Sequence, residues 1–320
     1  MLWTLLAAAL AADPGPWEIR AALGGEFNPS SHGVADLGVR RGPWSAQLLT
    51  DTLDLRWEPE GDRGRAWVAA RAEFGAAGLM ISPWLNGAPA PTDALTASYA
   101  GLEGGALRYL PAGLYAGGQG WARLAWFGVP EGSLRADPYP ETWVRAETVL
   151  GWWRPGGHIQ AFVGLDVVID DLEPHATLDA AWTPPWTVVP IAELRACQAE
   201  DQGLLQLSRV GGLNPYVVPL AGAGWGEWWV EDYAAARLGV AAQGGWGRVG
   251  LVVDQARVDG QNATGFGLLA RGQRRLVYLD TAVGYAPWIE RQDGVGRFSV
   301  WAVLGLDWWH RPLGPGSADQ

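Results

Sequence analysis

The residues of this chain best suited to chemistry are arginines and carboxylates set in alternating stretches. If the segments around them pair as hairpins, with Trp153 opposite His158 and Asp170 opposite His175, then Arg145, Asp166 and Asp179 fall in one row on one face. Neighbours placed in that way have Cβ atoms about 4.5–5.5 Å apart. Two carboxylates beside one arginine make either a cation site in a charged constriction or a salt-bridge row that pins strand register. Glu147, Glu231, Arg237, Asp254, Asp280 and Arg297 are expected on the same kind of face.

The remaining reactive types are sparse. His32, His158, His175 and His310 have no ligand-like spacing, so neither a metal nor a cofactor is expected. Cys197 is the single cysteine, a free thiol that reads as a small apolar strand residue. There is no GxSxG, no HExxH and no serine, histidine and acid set in a familiar order, so no catalytic residue is assigned and an enzyme is not expected. All 23 basic residues are arginine, the formal net charge is −11 and no basic run occurs, which makes nucleic acid a poor partner.

The elements that must carry these residues are strands. From His158 to Asp170, Ile159, Ala161, Val163, Leu165, Val167 and Ile169 alternate with a face holding His158, Gln160, Asp166 and Asp170. That period is two, not 3.6. Phe298 to Trp308, Val144 to Trp152 and Val277 to Tyr285 repeat it, and many of the 21 tryptophans stand where such segments begin or end. One apolar face toward lipid, one polar face inward and aromatic girdles at both rims describe a transmembrane β-barrel. Its strands are expected near 17–26, 34–41, 44–57, 65–75, 96–109, 113–127, 141–153, 158–170, 175–184, 189–198, 203–210, 230–243, 246–258, 264–273, 275–286 and 297–309. The fold class is therefore all-β, a transmembrane antiparallel barrel of about sixteen strands, range about 14–16.

Tight turns at Arg41-Gly42-Pro43, Arg154 to Gly157, Gln243-Gly244-Gly245 and Arg271-Gly272-Gln273 suit hairpins. Longer connections run from Gly78 to Ala94, Gly128 to Pro140 and Gly211 to Trp229, and loops of that length commonly carry function or fill a lumen. Backbone groups cannot stay unpaired in lipid, so the sheet must close. Residues 1–12 read as a secretory signal ending near Ala11 or Ala12, although the first arginine is Arg20. The barrel is expected over 13–310 and a short tail over 311–320. A soluble propeller or sandwich is the rival architecture; no blade-length repeat supports it, and exposed aromatics at strand ends would be a liability in water.

The segment Leu207-Ser208-Arg209-Val210-Gly211-Gly212-Leu213-Asn214-Pro215-Tyr216 leads through Pro219 to Trp225, then to Glu227, Tyr233 and the strand Ala235 to Val240. This resembles the barrel end of the surface-antigen superfamily of assembly barrels, the BamA and TamA type. The resemblance covers roughly 204–309. It implies a loop folded back into the lumen, with Gly211, Gly212, Tyr216, Gly222 and Trp225 in it, followed by four further hairpin strands. It also implies that Asp254, in Gly250 to Val258, is the inward acid that meets the loop. One departure is plain: the family loop carries an arginine between its glycines and an aromatic, where this chain has Ala221-Gly222-Ala223. No periplasmic repeat domain is expected ahead of the first strand.

Together these readings give a bacterial outer-membrane protein whose partners are the lipid bilayer and other envelope proteins. Three roles follow from them: an assembly-type barrel in envelope biogenesis or one with a derived role, a passive or gated pore for small solutes, and a structural barrel subunit of an envelope complex.

Overall fold

Alternation at period two puts every second side chain of a strand on the same face, and in this chain one face after another is apolar. A computed structural model shows where those faces go. It describes residues 17–27, 32–50, 52–74, 80–81, 84–85, 88–89, 95–129, 131, 140–168, 171–199, 208–213, 218–223, 228–230, 232–245, 247–258, 260–274, 276–287 and 298–307. Sixteen strands form one closed antiparallel barrel. They are β1 (Glu18–Phe27), β2 (His32–Arg41), β3 (Trp44–Leu49), β4 (Thr52–Trp57), β5 (Gly64–Glu73), β6 (Leu95–Tyr109), β7 (Leu114–Gly128), β8 (Glu141–Arg154), β9 (Gly157–Val168), β10 (Asp171–Trp182), β11 (Val188–Ala199), β12 (Tyr233–Gly244), β13 (Gly247–Val258), β14 (Gln261–Arg274), β15 (Val277–Tyr285) and β16 (Phe298–Asp307).

Each strand pairs with the next, and β16 returns to β1 from Arg20↔Asp307 to Phe27↔Val300, so no strand is left with a free edge. Both the start of β1 and the end of β16 lie at one end of the barrel. The turns at that end are short, and the long connections after β5, β7, β11 and β15 all lie at the other end. Leu23, Leu102, Val163, Leu238, Leu251 and Leu304 are among the large apolar side chains exposed on the outer face. Such a surface is untenable in water and suits lipid. Among the described residues no helix is long and apolar enough to cross a membrane, which says nothing about strands.

Sixteen strands were expected, but two of the segments differ. The expected strand 44–57 is two strands, β3 and β4, joined by a turn at Thr50, whose φ is 52°. The apolar phase slips there, from Trp44, Ala46 and Leu48 to Leu53, Leu55 and Trp57, because a two-residue reversal keeps both arms facing out. Of the expected strand 203–210, the described residues 208–210 are not part of the wall. These residues, Ser208–Val210, pair with Trp228–Val230 in a separate two-stranded ribbon of three residues each. Residues 1–16 and 308–320, where the leader and tail are expected, lie outside the described residues.

Candidate functional site

Inside the barrel two arrangements of polar groups stand out, one on each side of the lumen. The first receives a loop. After β11 the chain enters the connection to β12, whose described part folds on itself: Gly211 N donates to Val218 O (2.9 Å) and Gly212 exchanges hydrogen bonds with Leu220. Val210, Leu220, Ala221 and Ala223 are fully buried. Leu220 packs with Tyr233, Ala235, Ala256 and Val258 of β12 and β13, and Leu213 with Val34, Tyr278, Trp301 and Val303.

Three inward side chains hold this loop by its backbone. Ala221 N donates to Asp254 Oδ2 of β13 (2.8 Å), Gly222 N to Ser299 Oγ of β16 (3.1 Å) and Leu213 N to Glu26 Oε1 of β1 (3.1 Å). Asp254 is fully buried and also accepts two hydrogen bonds from Arg237 of β12, Nε to Oδ1 at 2.7 Å and Nη2 to Oδ2 at 2.9 Å. The paired fork is the strong form of a carboxylate and guanidinium contact. The wall is stripped of side chains where the loop lies on it. A Cβ at Gly265 of β14 would strike the Ala221 carbonyl, one at Gly284 of β15 the Gly222 nitrogen, and one at Gly222 itself, φ 83°, the backbone at Tyr285 and Ala286. Only glycine lets backbone approach backbone that closely.

The second arrangement is a charged wall over β4 to β11. Arg145 of β8 stands opposite Asp166 of β9 and grips it with both Nε (2.6 Å) and Nη2 (2.7 Å). Asp166 and His175 are both buried; His175 Nδ1 lies 3.4 Å from Asp166 Oδ2 and its Nε2 2.9 Å from Glu147 Oε2. Gln119 Nε2 donates to the other oxygen of Glu147. Toward β4 the wall continues through Arg123, stacked on Trp121 and Tyr99, to Glu103, which Arg56 and Arg71 also reach.

Asp179 is not in the expected row. Asp166 faces Glu173, and Asp179 faces Gln160, with His158 Nε2 at 3.2 Å and Arg195 Nε at 3.5 Å for company. The expected register placed the turn across Asp171 to Pro174 because acids and a proline mark turns. In the barrel Val168 pairs with Asp171 and Leu165 with Pro174, so the hairpin is tighter and Pro174 lies within the strand. The six-residue slip is even, so Asp179 still points inward, but further along the strand.

Of the other expected inward charges, Glu147, Arg237 and Asp254 lie in the contacts above, and Asp280 stands opposite Arg271. Glu231, Arg297, Tyr216 and Trp225 lie outside the described residues. Gly211, Gly212 and Gly222 belong to the docked loop and are buried. Sequence reasoning missed Glu26, Ser299 and His175. The first two carry no mark within their own strands, and only the position of the loop gives them a role.

No family model matches the chain, and no curated protein matches its sequence. Solved structures do. CdiB from Acinetobacter baumannii superposes with a TM-score of 0.65 at 10% identity, over 91% of this chain and 60% of that one. BamA from Haemophilus ducreyi, in a structure lacking POTRA domains 1–3, gives 0.64 at 10% identity, over 92% and 70%. The fold is that of the BamA and CdiB barrels. The chain spans about 60% of the CdiB chain's length, and the likeness concerns that part. Within this fold the departure noted in the loop has a structural counterpart. The guanidinium that meets Asp254 comes from the neighbouring strand, as Arg237, and the loop itself offers the Ala221 N–H.

Proposed function

We propose that this chain is an integral barrel of the bacterial outer membrane, exported by a cleaved leader within residues 1–12, and that it serves envelope biogenesis as an assembly-type barrel. Residues 13–310 form the barrel and 311–320 a tail. The observation that carries the reading is the loop bonded to Asp254, Ser299 and Glu26 inside a closed barrel. A loop built for recognition outside the cell would not need three buried acceptors on the inner wall. Its partners are lipid and the unfolded or partly folded envelope proteins it helps to insert. The test is to reconstitute it in vesicles and follow insertion of a second, unfolded outer-membrane barrel. Acceleration over empty vesicles supports the role; insertion no faster than in empty vesicles contradicts it.

The charged wall favours a second reading, a pore for small charged solutes. Arg195 and His158 keep 31% and 27% of their side chains exposed, as groups lining water do. Stable ohmic steps in a planar bilayer would support this reading. Silence from inserted protein would sink it.

A further inference from the structure

The outward faces of the sixteen strands carry very few charges, and their distribution is lopsided. By register and alternation, the charged residues facing outward are Arg41, Arg108, Arg154, Arg257 and Arg274. All are arginines, in a protein with 34 acids and 23 arginines, and no carboxylate shares those faces. Arg257 stands at the end of the barrel with the long connections. The other four stand at the short-turn end, each the last or next-to-last residue of β2, β6, β8 or β14.

We propose that these four arginines form a collar that binds the phosphodiester headgroups of anionic glycerophospholipids. The proposal rests on the membrane-barrel reading above. Arg41 lies 5.4 Å from the ring centre of Trp17, and Arg154 lies 6.0 Å from that of Trp152. Trp152 Nε1 also donates to Ala112 O (3.1 Å). An aromatic ring lying at the headgroup level with a guanidinium over it holds the charge at the depth of the phosphates. Arg108 and Arg274 extend the collar to β6 and β14, and both are exposed. Among the residues whose exposure is described, the turn between β4 and β5 adds exposed Asp62 beside exposed Arg63, and Glu18 at the same end is paired with Arg40, so neither acid offsets the positive charge of the four arginines. A surface of that sign, on a chain whose formal charge is −11, has as its complement a layer of negative charge at one fixed depth. The collar also orients the barrel, with its short turns at the phospholipid leaflet.

The test uses the full chain, refolded into vesicles of phosphatidylcholine alone or mixed with phosphatidylglycerol, with insertion followed by the heat-dependent gel shift of a folded barrel. The comparison is between wild type, the triple variant Arg108→Gln, Arg154→Gln, Arg274→Gln, and the control Arg257→Gln. The collar predicts that phosphatidylglycerol speeds wild-type insertion roughly fivefold or more, that the triple variant loses this gain while inserting normally into phosphatidylcholine, and that Arg257→Gln keeps it. Equal rates in both lipids, or a triple variant that keeps the full gain, overturn the collar and leave the barrel reading intact. Failure of the wild type to insert into either lipid overturns both.

Discussion

The two sides of the lumen use the same kinds of residue to opposite ends. On β13, β16 and β1, Asp254, Ser299 and Glu26 accept hydrogen bonds from a loop backbone, and neighbouring strands present glycine so that the loop can lie against the wall. On β4 to β11 the acids meet arginines and histidines one or two strands away, and these pairs lie within the wall itself. The contrast teaches that an inward acid on a barrel is not a site by virtue of its charge. Asp254 holds something because its strand neighbour Arg237 leaves one oxygen shared with a loop N–H. Asp166, whose two oxygens both accept from Arg145 and whose Oδ2 also lies beside His175, closes on its own wall.

Four substitutions would break or sharpen this contrast. The largest effect is expected from Asp254→Ala, which strands a buried Arg237 and a buried amide at once; loss of one partner of a buried pair costs about 3–5 kcal/mol. Urea unfolding in detergent should show it, together with new protease cleavage within 211–223. Gly222→Val comes next, because a side chain there meets the backbone of Tyr285 and Ala286. Overpacking costs about 1–3 kcal/mol, and the loop should become accessible while the wall stays folded. Asp166→Asn should lower stability by about 1–3 kcal/mol without exposing the loop. If it exposes 211–223 as Asp254→Ala does, the two sides are not independent. The smallest change is expected from Arg40→Gln at the mouth. It pairs with Glu18 at 3.1 Å, both side chains are about one-third exposed, and such pairs contribute about 0–1 kcal/mol.

Much of the wall was legible because alternation, glycine-rich turns and terminal tryptophans are local signals. The facing of Arg145 and Asp166 followed from one tight turn at Arg154 to Gly157, whose glycines left little choice of register. The next hairpin was misplaced because Pro174 and its acidic neighbours resemble a turn, yet a proline tolerates a strand position where its missing N–H is not needed. The β3 and β4 reversal was written in the sequence as a phase slip between Leu48 and Leu53, too short to see without a partner strand. His175 was invisible for another reason. Its contacts with Glu147 and Asp166 cross three strands, and no spacing within one segment reports them. That Asp254 meets both Arg237 and a loop N–H likewise needed three dimensions.

The most direct test of the docked loop is amide hydrogen exchange in the refolded barrel, resolved at Leu213, Ala221 and Gly222, for the wild type and for Asp254→Asn. These N–H groups donate to buried acceptors, so the account predicts exchange as slow as in the barrel strands, with Ala221 accelerating most in the variant. Exchange at the rate of a free loop in the wild type would show that 211–223 is not held by Asp254, Ser299 and Glu26, and would contradict the account.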